Sequence, residues 1–229
     1  MHIHSCLSPC GDNDMTPNNI VNMSIIKGLD IIAVTDHNTC GNLESIMKVA
    51  EGKITVIPGM EIETSEEIHV VSYFKNLESA KRAEKIIKTH LPKIKNRPDI
   101  YGNQFYMDEN DEITAEEENL LICATDLDIY KVFEIVKECD GIPVPAHIDK
   151  SSYSVVSNLG FLPKDLNTTA LEITPKNRYI KENEYKNYNI ISNSDAHYLE
   201  NISEPEFFLE LDKNDVNSVL EFLMGNIER

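Results

Sequence analysis

The sequence predicts a barrel-like α/β fold, and three observations carry that prediction. Short apolar runs rich in β-branched residues alternate with segments of helical spacing along most of the chain. Six of the seven histidines stand at the end of such a run: His2, His4, His37, His69, His147 and His197. His2 with His4, and Asp195 with His197, are each separated by one residue, so in extended backbone both members of a pair project from the same face. Ends of several parallel strands converging on one rim are how such a fold gathers its functional side chains.

The elements follow in order. Only Met1 precedes His2, so the first strand is expected to be short. Thr16-Pro17 reads as an N-cap followed by proline at the first helical position, and Gly28 closes a helix carrying Ile20, Met23 and Ile26. Residues 30–35 read as a buried strand ending at Asp36-His37, and residues 43–50 as a short helix. Ile54 to Pro58 and Gly59 to Glu63 lead into the strand Ile68 to Phe74, which is strand-like by its β-branched and aromatic content. Residues 77–91 and 129–139 have helical spacing. Strands are expected at 142–146, ending at His147, at 170–174, and at 189–192, running into Ser194-Asp195-Ala196-His197. A last helix covers 215–224.

One stretch breaks the alternation. Residues 75–97 hold eight of the 21 basic residues against two acids, and residues 98–130 hold ten acids and no Lys or Arg. With turn signals at Asn96-Arg97-Pro98 and Gly102-Asn103, residues 91–128 are expected to form an inserted acidic excursion without regular structure. It reads either as a solvated loop or as a lid over a substrate.

Composition narrows the function. At 229 residues and 41% apolar content the chain can fill one core, and one domain spanning 1–229 is expected. No apolar run is long enough to span a membrane and the first dozen residues are polar, so a cytoplasmic protein is expected. Five cysteines form an odd set without paired spacing, which reads as reduced thiols, with Cys123 and Cys139 as core residues. A net charge of −18 argues against broad affinity for nucleic acid or for anionic membrane, and suits a protein that concentrates divalent cations.

Imidazoles and carboxylates together are the donor set for zinc, manganese or iron, and a cluster of such ions needs a carboxylate able to bridge. Glu61 is the expected bridge, with Glu63 two residues on as a neighbouring carboxylate. Asp36 is a candidate to fix the imidazole tautomer of the neighbouring His37 by a hydrogen bond. His90 lies in a basic helix and receives no role.

Taken in order, His2-Ile3-His4-Ser5, Thr35-Asp36-His37-Asn38, Pro58-Gly59-Met60-Glu61, the His69 strand, Pro145-Ala146-His147 and Ser194-Asp195-Ala196-His197 resemble the motifs of the polymerase and histidinol phosphatase (PHP) superfamily over residues 1 to about 200. The resemblance implies a distorted (β/α)7 TIM-like barrel, up to three divalent metal ions, and hydrolysis of a small phosphorylated substrate. It also implies a ligand set: His2, His4, Glu61 and Asp195 for one ion, Glu61, His69 and His147 for a second, and His37, His197 and a residue of the first loop for a third. That last position departs from the family pattern, which puts a His or Asp where this chain has Pro9 and Cys10. Asp12 is the expected substitute, with Cys10 as the alternative. A metal-activated water would attack phosphorus, with Glu61 and Asp195 as the catalytic carboxylates.

Arg97, Lys150 and Arg178 are candidate phosphate clamps, and Tyr101, Phe105 and Tyr106 could stack a base. The expected substrate is therefore a small, nucleotide-like phosphomonoester and not duplex DNA. Three alternatives stand beside it: a 5′-end exonuclease on short oligonucleotides, an amidohydrolase-type enzyme, and a non-catalytic metal-binding regulatory module.

Overall fold

A computed structural model describes residues 1–178, 181 and 184–225. Its elements run α1 (Pro17–Ile26), β1 (Ile31–Val34), α2 (Leu43–Ala50), β2 (Thr55–Glu63), β3 (His69–Phe74), α3 (Leu77–Ile87), α4 (Pro98–Tyr101), β4 (Phe105–Met107), β5 (Ile113–Glu116), α5 (Ile129–Glu138), β6 (Gly141–Pro145), α6 (Val155–Leu159), β7 (Ala170–Ile173), β8 (Asn189–Ser192) and α7 (Val216–Met224). Short 3-10 turns at 164–166, 175–177 and 199–201 join the later elements.

The strands form a four-stranded sheet in the order β1-β2-β3-β6 and two pairs, β4-β5 and β7-β8. The first segment contributes Ile3, which bridges in parallel to Val34 on one side and to Ala196 on the other. Among the described residues the hydrogen-bonded ladders are thus three separate sheets, and a closed barrel is not among them. A second departure concerns direction. β3 runs antiparallel to both β2 and β6, so His69 opens its strand where a parallel strand would have ended there. Only five residues lie between β2 and β3, and a connection that short can only reverse the chain, because a parallel return needs a crossover of a dozen residues or more.

Period-two alternation divides the core. Ala33, Ile57, Val71, Tyr73, Val144, Ala170 and Ile191 share one apolar cluster, which Val219, Leu220 and Leu223 of α7 join. The alternate residues Ile32, Val34, Val56, Val70 and Phe74 pack instead with Ile20 and Val21 of α1, Ile46 of α2, Ala83 of α3 and Val132 of α5. Glu61 and Glu63 follow Ile57 at even spacing along β2, so they continue on its face. Gly59 lies between Ile57 and Glu61, and a Cβ there would come within 2.6 Å of the Thr35 methyl group and 3.1 Å of the Val34 carbonyl. Only glycine lets β1 and β2 approach this closely.

Helix ends follow their sequence signals. Thr16 caps α1 by accepting the Asn19 N–H, Asn76 caps α3, Asp128 caps α5 and Asp215 caps α7. Ile26, expected on the buried face of α1, is 78% exposed; the inward positions are Ile20, Val21 and Ser24. Cys139 is buried as expected, whereas Cys123 is only half-buried, and all five cysteines are free. Among the described residues no helix is long and apolar enough to cross a membrane.

The excursion is more ordered than its composition suggested, since it contains α4 and the β4-β5 hairpin. Asp108 accepts the N–H groups of Asn110 and Glu112 at the hairpin turn. Asp111 reaches the start of α1, accepting from the Thr16 hydroxyl at 2.8 Å and the Asn18 N–H at 3.0 Å. Asn42 holds β4 by donating to the Phe105 carbonyl and accepting the Met107 N–H. Tyr106 lies against Gly41, and its hydroxyl meets Lys88 and Glu117. Asp108, Asp111 and the α5 cap Asp128, which follow no regular pattern in the sequence, act here at turns and helix ends.

Candidate metal centre

The site grows out of the first segment and the rim around it. Ile3 is pinned between Val34 and Ala196, so His2 and His4, flanking it, point together into the interior. His37 follows β1 and bridges to Glu61. His147 follows β6 with φ 27°, and Asp195 lies beyond β8 with φ 52°. Both residues hold left-handed backbone that is costly for a non-glycine residue and is retained where it aims a side chain.

Glu61 stands at the centre and is 1% exposed. Its Oε1 lies 3.0 Å from Nδ1 of His69, 3.2 Å from Nε2 of His2 and 3.4 Å from Nε2 of His147. Its Oε2 lies 3.2 Å from Nδ1 of His37 and 3.3 Å from Nε2 of His4. Asp195 Oδ1 approaches the same two rings, 3.3 Å from His2 and 3.1 Å from His4. The ligand atoms fall into three compact sets: His2, His4, Glu61 and Asp195; His37, Glu61 and His69; and His4, His37 and His197. The first set coincides with the one implied by the resemblance. In the second, His37 takes the place expected for His147, which contacts Glu61 from the side.

Three rings have their outer nitrogen committed. His2 Nδ1 donates to Glu172, both of whose oxygens lie at 3.0 Å, His4 Nδ1 donates to the Ser8 hydroxyl at 3.0 Å, and His197 Nδ1 donates to the Asp195 carbonyl at 2.9 Å. Ser8 in turn donates to Asp36, which also accepts the Ser5 hydroxyl and N–H. Each ring therefore leaves the Nε2 lone pair free for a cation. Asp36, expected to fix the tautomer of His37, acts instead on His4 through Ser8, while His37 Nδ1 has no hydrogen-bond partner.

Whether these residues suit metal is tested by their unpaired atoms. His37 Nδ1, His69 Nε2, His147 Nδ1, Glu61 Oε1 and Glu63 Oε2 are all buried without a hydrogen-bond partner. Buried orphans of this kind are expensive, and a cluster of them lined with nitrogen and oxygen donors fits divalent cations. Electrostatics agree. Burial alone would raise the Glu61 pKa, but His69, His2 and His37 outweigh it and hold it well below the usual value, and Asp195 is lowered likewise by His2 and His4. Burial opposes a charge on His2, yet Glu172, Glu61 and Asp195 raise its pKa well above that of a free imidazole. His69 is raised to about 9 against burial by Glu61 and Glu63, while burial and His4 lower His197 to about 4. Both central carboxylates stay anionic, ready for ions in place of protons.

The other candidates are placed differently. Asp12 turns its Oδ1 to the Asp14 N–H and donates its own N–H to the His197 carbonyl, and neither Asp12 nor Cys10 belongs to the compact sets. Burial, with help from Glu61 and Asp195, raises the Cys10 pKa. Lys150 pairs directly with Asp195 at the rim. Arg97 is exposed and bonded to Asp99. Arg178 donates to the Glu206 carbonyl and stacks 4.5 Å from the Phe207 ring. His90 pairs with Asp126. Glu172 received no role from the sequence. Its signal was a carboxylate inside the apolar run Ala170-Leu171-Glu172-Ile173, where a buried charge demands a partner. Tyr153, stacked 4.8 Å from the His69 ring, gave no comparable signal.

The model of the PHP domain family matches residues 1–214. The chain belongs to the PHP domain family. Its His/Glu/Asp cluster offers the imidazole and carboxylate donors that divalent metal ions take. Its fold is similar to that of a lesion-specific endonuclease from Pyrococcus furiosus, with a TM-score of 0.65 and 16% identity over 98% of this chain and 55% of that one. It is also similar to a protein described as a metal-dependent phosphoesterase from Bifidobacterium adolescentis, with a TM-score of 0.57 and 17% identity over 99% and 96% of the two chains. An amidohydrolase from Chromobacterium violaceum has a TM-score of 0.58 and 14% identity over 86% of each chain. The chain spans about half the length of the endonuclease. A search of curated protein sequences finds no match.

Proposed function

We propose that this PHP-family chain hydrolyses a small phosphomonoester, with up to three divalent ions held by His2, His4, His37, Glu61, His69, His147, Asp195 and His197, and with Asp12 completing the set. The observation that carries this reading is the position of Glu61, whose two oxygens face five imidazoles and which belongs to two of the three compact ligand sets. Bound divalent ions would supply Lewis acidity and lower the pKa of a water nucleophile. Glu61 would share its charge between ions and keep them close. His2, His4 and His197 are oriented by Glu172, Ser8 and the Asp195 carbonyl, so their Nε2 atoms need no rearrangement to bind. Asp195 presents Oδ1 to the cluster and Oδ2 to Lys150, which places a cation at the rim where a phosphate oxygen would arrive and a proton could be exchanged.

The barrel also belongs to this reading. An Ile148 N–H to Glu172 carbonyl bond spans β6 and β7, and Ile3 joins Ala196 to Val34. We read these links as the seams of a distorted seven-stranded barrel in one domain. A further similar structure is an endonuclease Q in complex with a 27-mer duplex substrate that has an abasic lesion at the active site. For this chain, with net charge −18, we favour a small substrate over duplex DNA, and short oligonucleotide ends are the second reading. Assaying metal-replete protein on mononucleotides, a sugar phosphate, a short 5′-phosphorylated oligonucleotide and a duplex, with and without chelator, tests this. Chelator-sensitive turnover of the phosphomonoesters is expected, and turnover of the duplex alone would overturn the reading.

A further inference from the structure

Beside the metal cluster lies a cleft of 380 Å³, and of the residues proposed to hold metal only Asp12 lines it. One wall is the first loop, from Pro9 to Asn13, and the other is the corner of the excursion from Ile100 to Asn103, with Tyr198 at one side. Two contacts hold the walls together. A Cβ at position 102 would lie 2.3 Å from the Pro9 carbonyl, and φ there is +91°, so Gly102 alone allows the excursion to seat on the loop. The Asn103 side chain donates to Oδ1 of Asn13 at 3.1 Å. That bond leaves Oδ1 of Asn103 and Nδ2 of Asn13 as an acceptor and a donor side by side.

The cleft is joined to the cluster through backbone. Asp12 donates its N–H to the His197 carbonyl at 2.9 Å, and Tyr198 is the next residue. Tyr198 and Tyr101 are 50% and 44% exposed and both line the cleft. By contrast Tyr106, which the sequence offered as a stacking residue, is occupied with Gly41, Lys88 and Glu117 and serves to anchor the excursion. Charge is the deciding feature. Among the described residues lining the cleft the only charged side chain is Asp12, and Arg97, the nearest basic residue in sequence to Tyr101, is turned to Asp99.

We propose that this cleft receives the leaving group of the phosphoester, and that it selects a planar, uncharged, hydrogen-bonding group of nucleoside type held by Tyr101 and Tyr198. The proposal rests on the phosphoesterase reading for the reaction, but the binding it describes stands apart from turnover. Aromatic faces stack any base, the Asn13–Asn103 pair offers an amide edge, and the volume falls within the range of small-molecule sites. The lone carboxylate and the missing cations make it a poor seat for a second phosphate. The cleft therefore discriminates a nucleoside monophosphate from a bisphosphate.

Metal-replete wild type, Tyr101→Ala, Tyr198→Ala, Tyr198→Phe and the distant control Tyr130→Ala are compared in two measurements. Isothermal titration reads the affinity for adenosine, which carries no phosphate. Steady-state kinetics read kcat and KM for adenosine 5′-monophosphate, adenosine 3′,5′-bisphosphate and glycerol 2-phosphate. Adenosine should bind wild type, and each Ala variant should weaken it about tenfold. Each should raise KM for the monophosphate far more than KM for glycerol 2-phosphate; Tyr198→Phe, which keeps the ring face, should recover most of the affinity that Tyr198→Ala loses, and Tyr130→Ala should stay close to wild type. The bisphosphate should have a KM several-fold above that of the monophosphate. Failure of adenosine to bind, equal binding by the Ala variants, or a preference for the bisphosphate overturns the proposal. Adenosine binding that depends on the tyrosines without turnover of any phosphoester upholds the cleft and removes the proposed reaction.

Discussion

Glu172 receives the Nδ1–H of His2 with both carboxylate oxygens at 3.0 Å, while Nε2 of the same ring lies 3.2 Å from Glu61. The pair is fully buried, so Glu172 fixes both the tautomer and the angle of the first ligand ring. Glu172→Gln should lower metal affinity by roughly 10- to 100-fold with little change in fold, because the neutral amide still fills the space but no longer strengthens the ring as a donor. Metal titration of the apo protein checks this, and unchanged affinity would show that the contact is only packing.

Much of this cluster was legible in the sequence because histidines and carboxylates recur at element ends with characteristic spacing. His2 and His4 lie on one face because one residue separates them, and Glu61 faces the cluster because it keeps the parity of Ile57. The antiparallel β3 escaped because residues 69–74 have the same β-branched composition whichever way the strand runs. Glu172 escaped because a single carboxylate in an apolar run does not name its partner 170 residues away. The order within 91–128 escaped because its acids act through turns and caps, such as Asp108 and Asp111, which have no periodicity.

The first loop offers a test of the third ligand set. His4, His37 and His197 form a compact group, and the loop passes over it with Asp12 hydrogen-bonded to the His197 backbone. Asp12→Asn should reduce occupancy of one ion while sparing the others, and Cys10→Ser should leave all occupancies unchanged. Anomalous scattering at the metal edge distinguishes the sites. Loss of an ion in Cys10→Ser alone would assign the ligand to the thiol.

Glu84 of α3 ties down the loop that follows His37. It accepts the Thr39 hydroxyl and the Cys40 N–H, and it pairs with Lys88 at 3.2 Å. Burial alone would raise its pKa, but Lys88, Thr39 and Cys40 outweigh burial and hold it below the usual glutamate value. A carboxylate with a depressed folded pKa contributes stability that is complete above its unfolded pKa of about 4.3 and is lost as pH falls through the folded value. Glu84→Gln should therefore cost about 1–3 kcal/mol at pH 7, and the gap from wild type should close as pH falls below about 4. Denaturant unfolding across that range measures it. A gap that widened in acid would mean Glu84 is not held as the anion.

The central claim is that Glu61 bridges a multinuclear metal centre, and metal content per chain tests it most directly. Elemental analysis of metal-replete protein should find roughly two to three divalent ions in wild type. Glu61→Gln should lose more than any single-histidine variant, because its two oxygens face every ligand set except His4, His37 and His197. Fewer than one ion per wild-type chain, or a Glu61→Gln content equal to wild type where His69→Ala is depleted, would contradict the account.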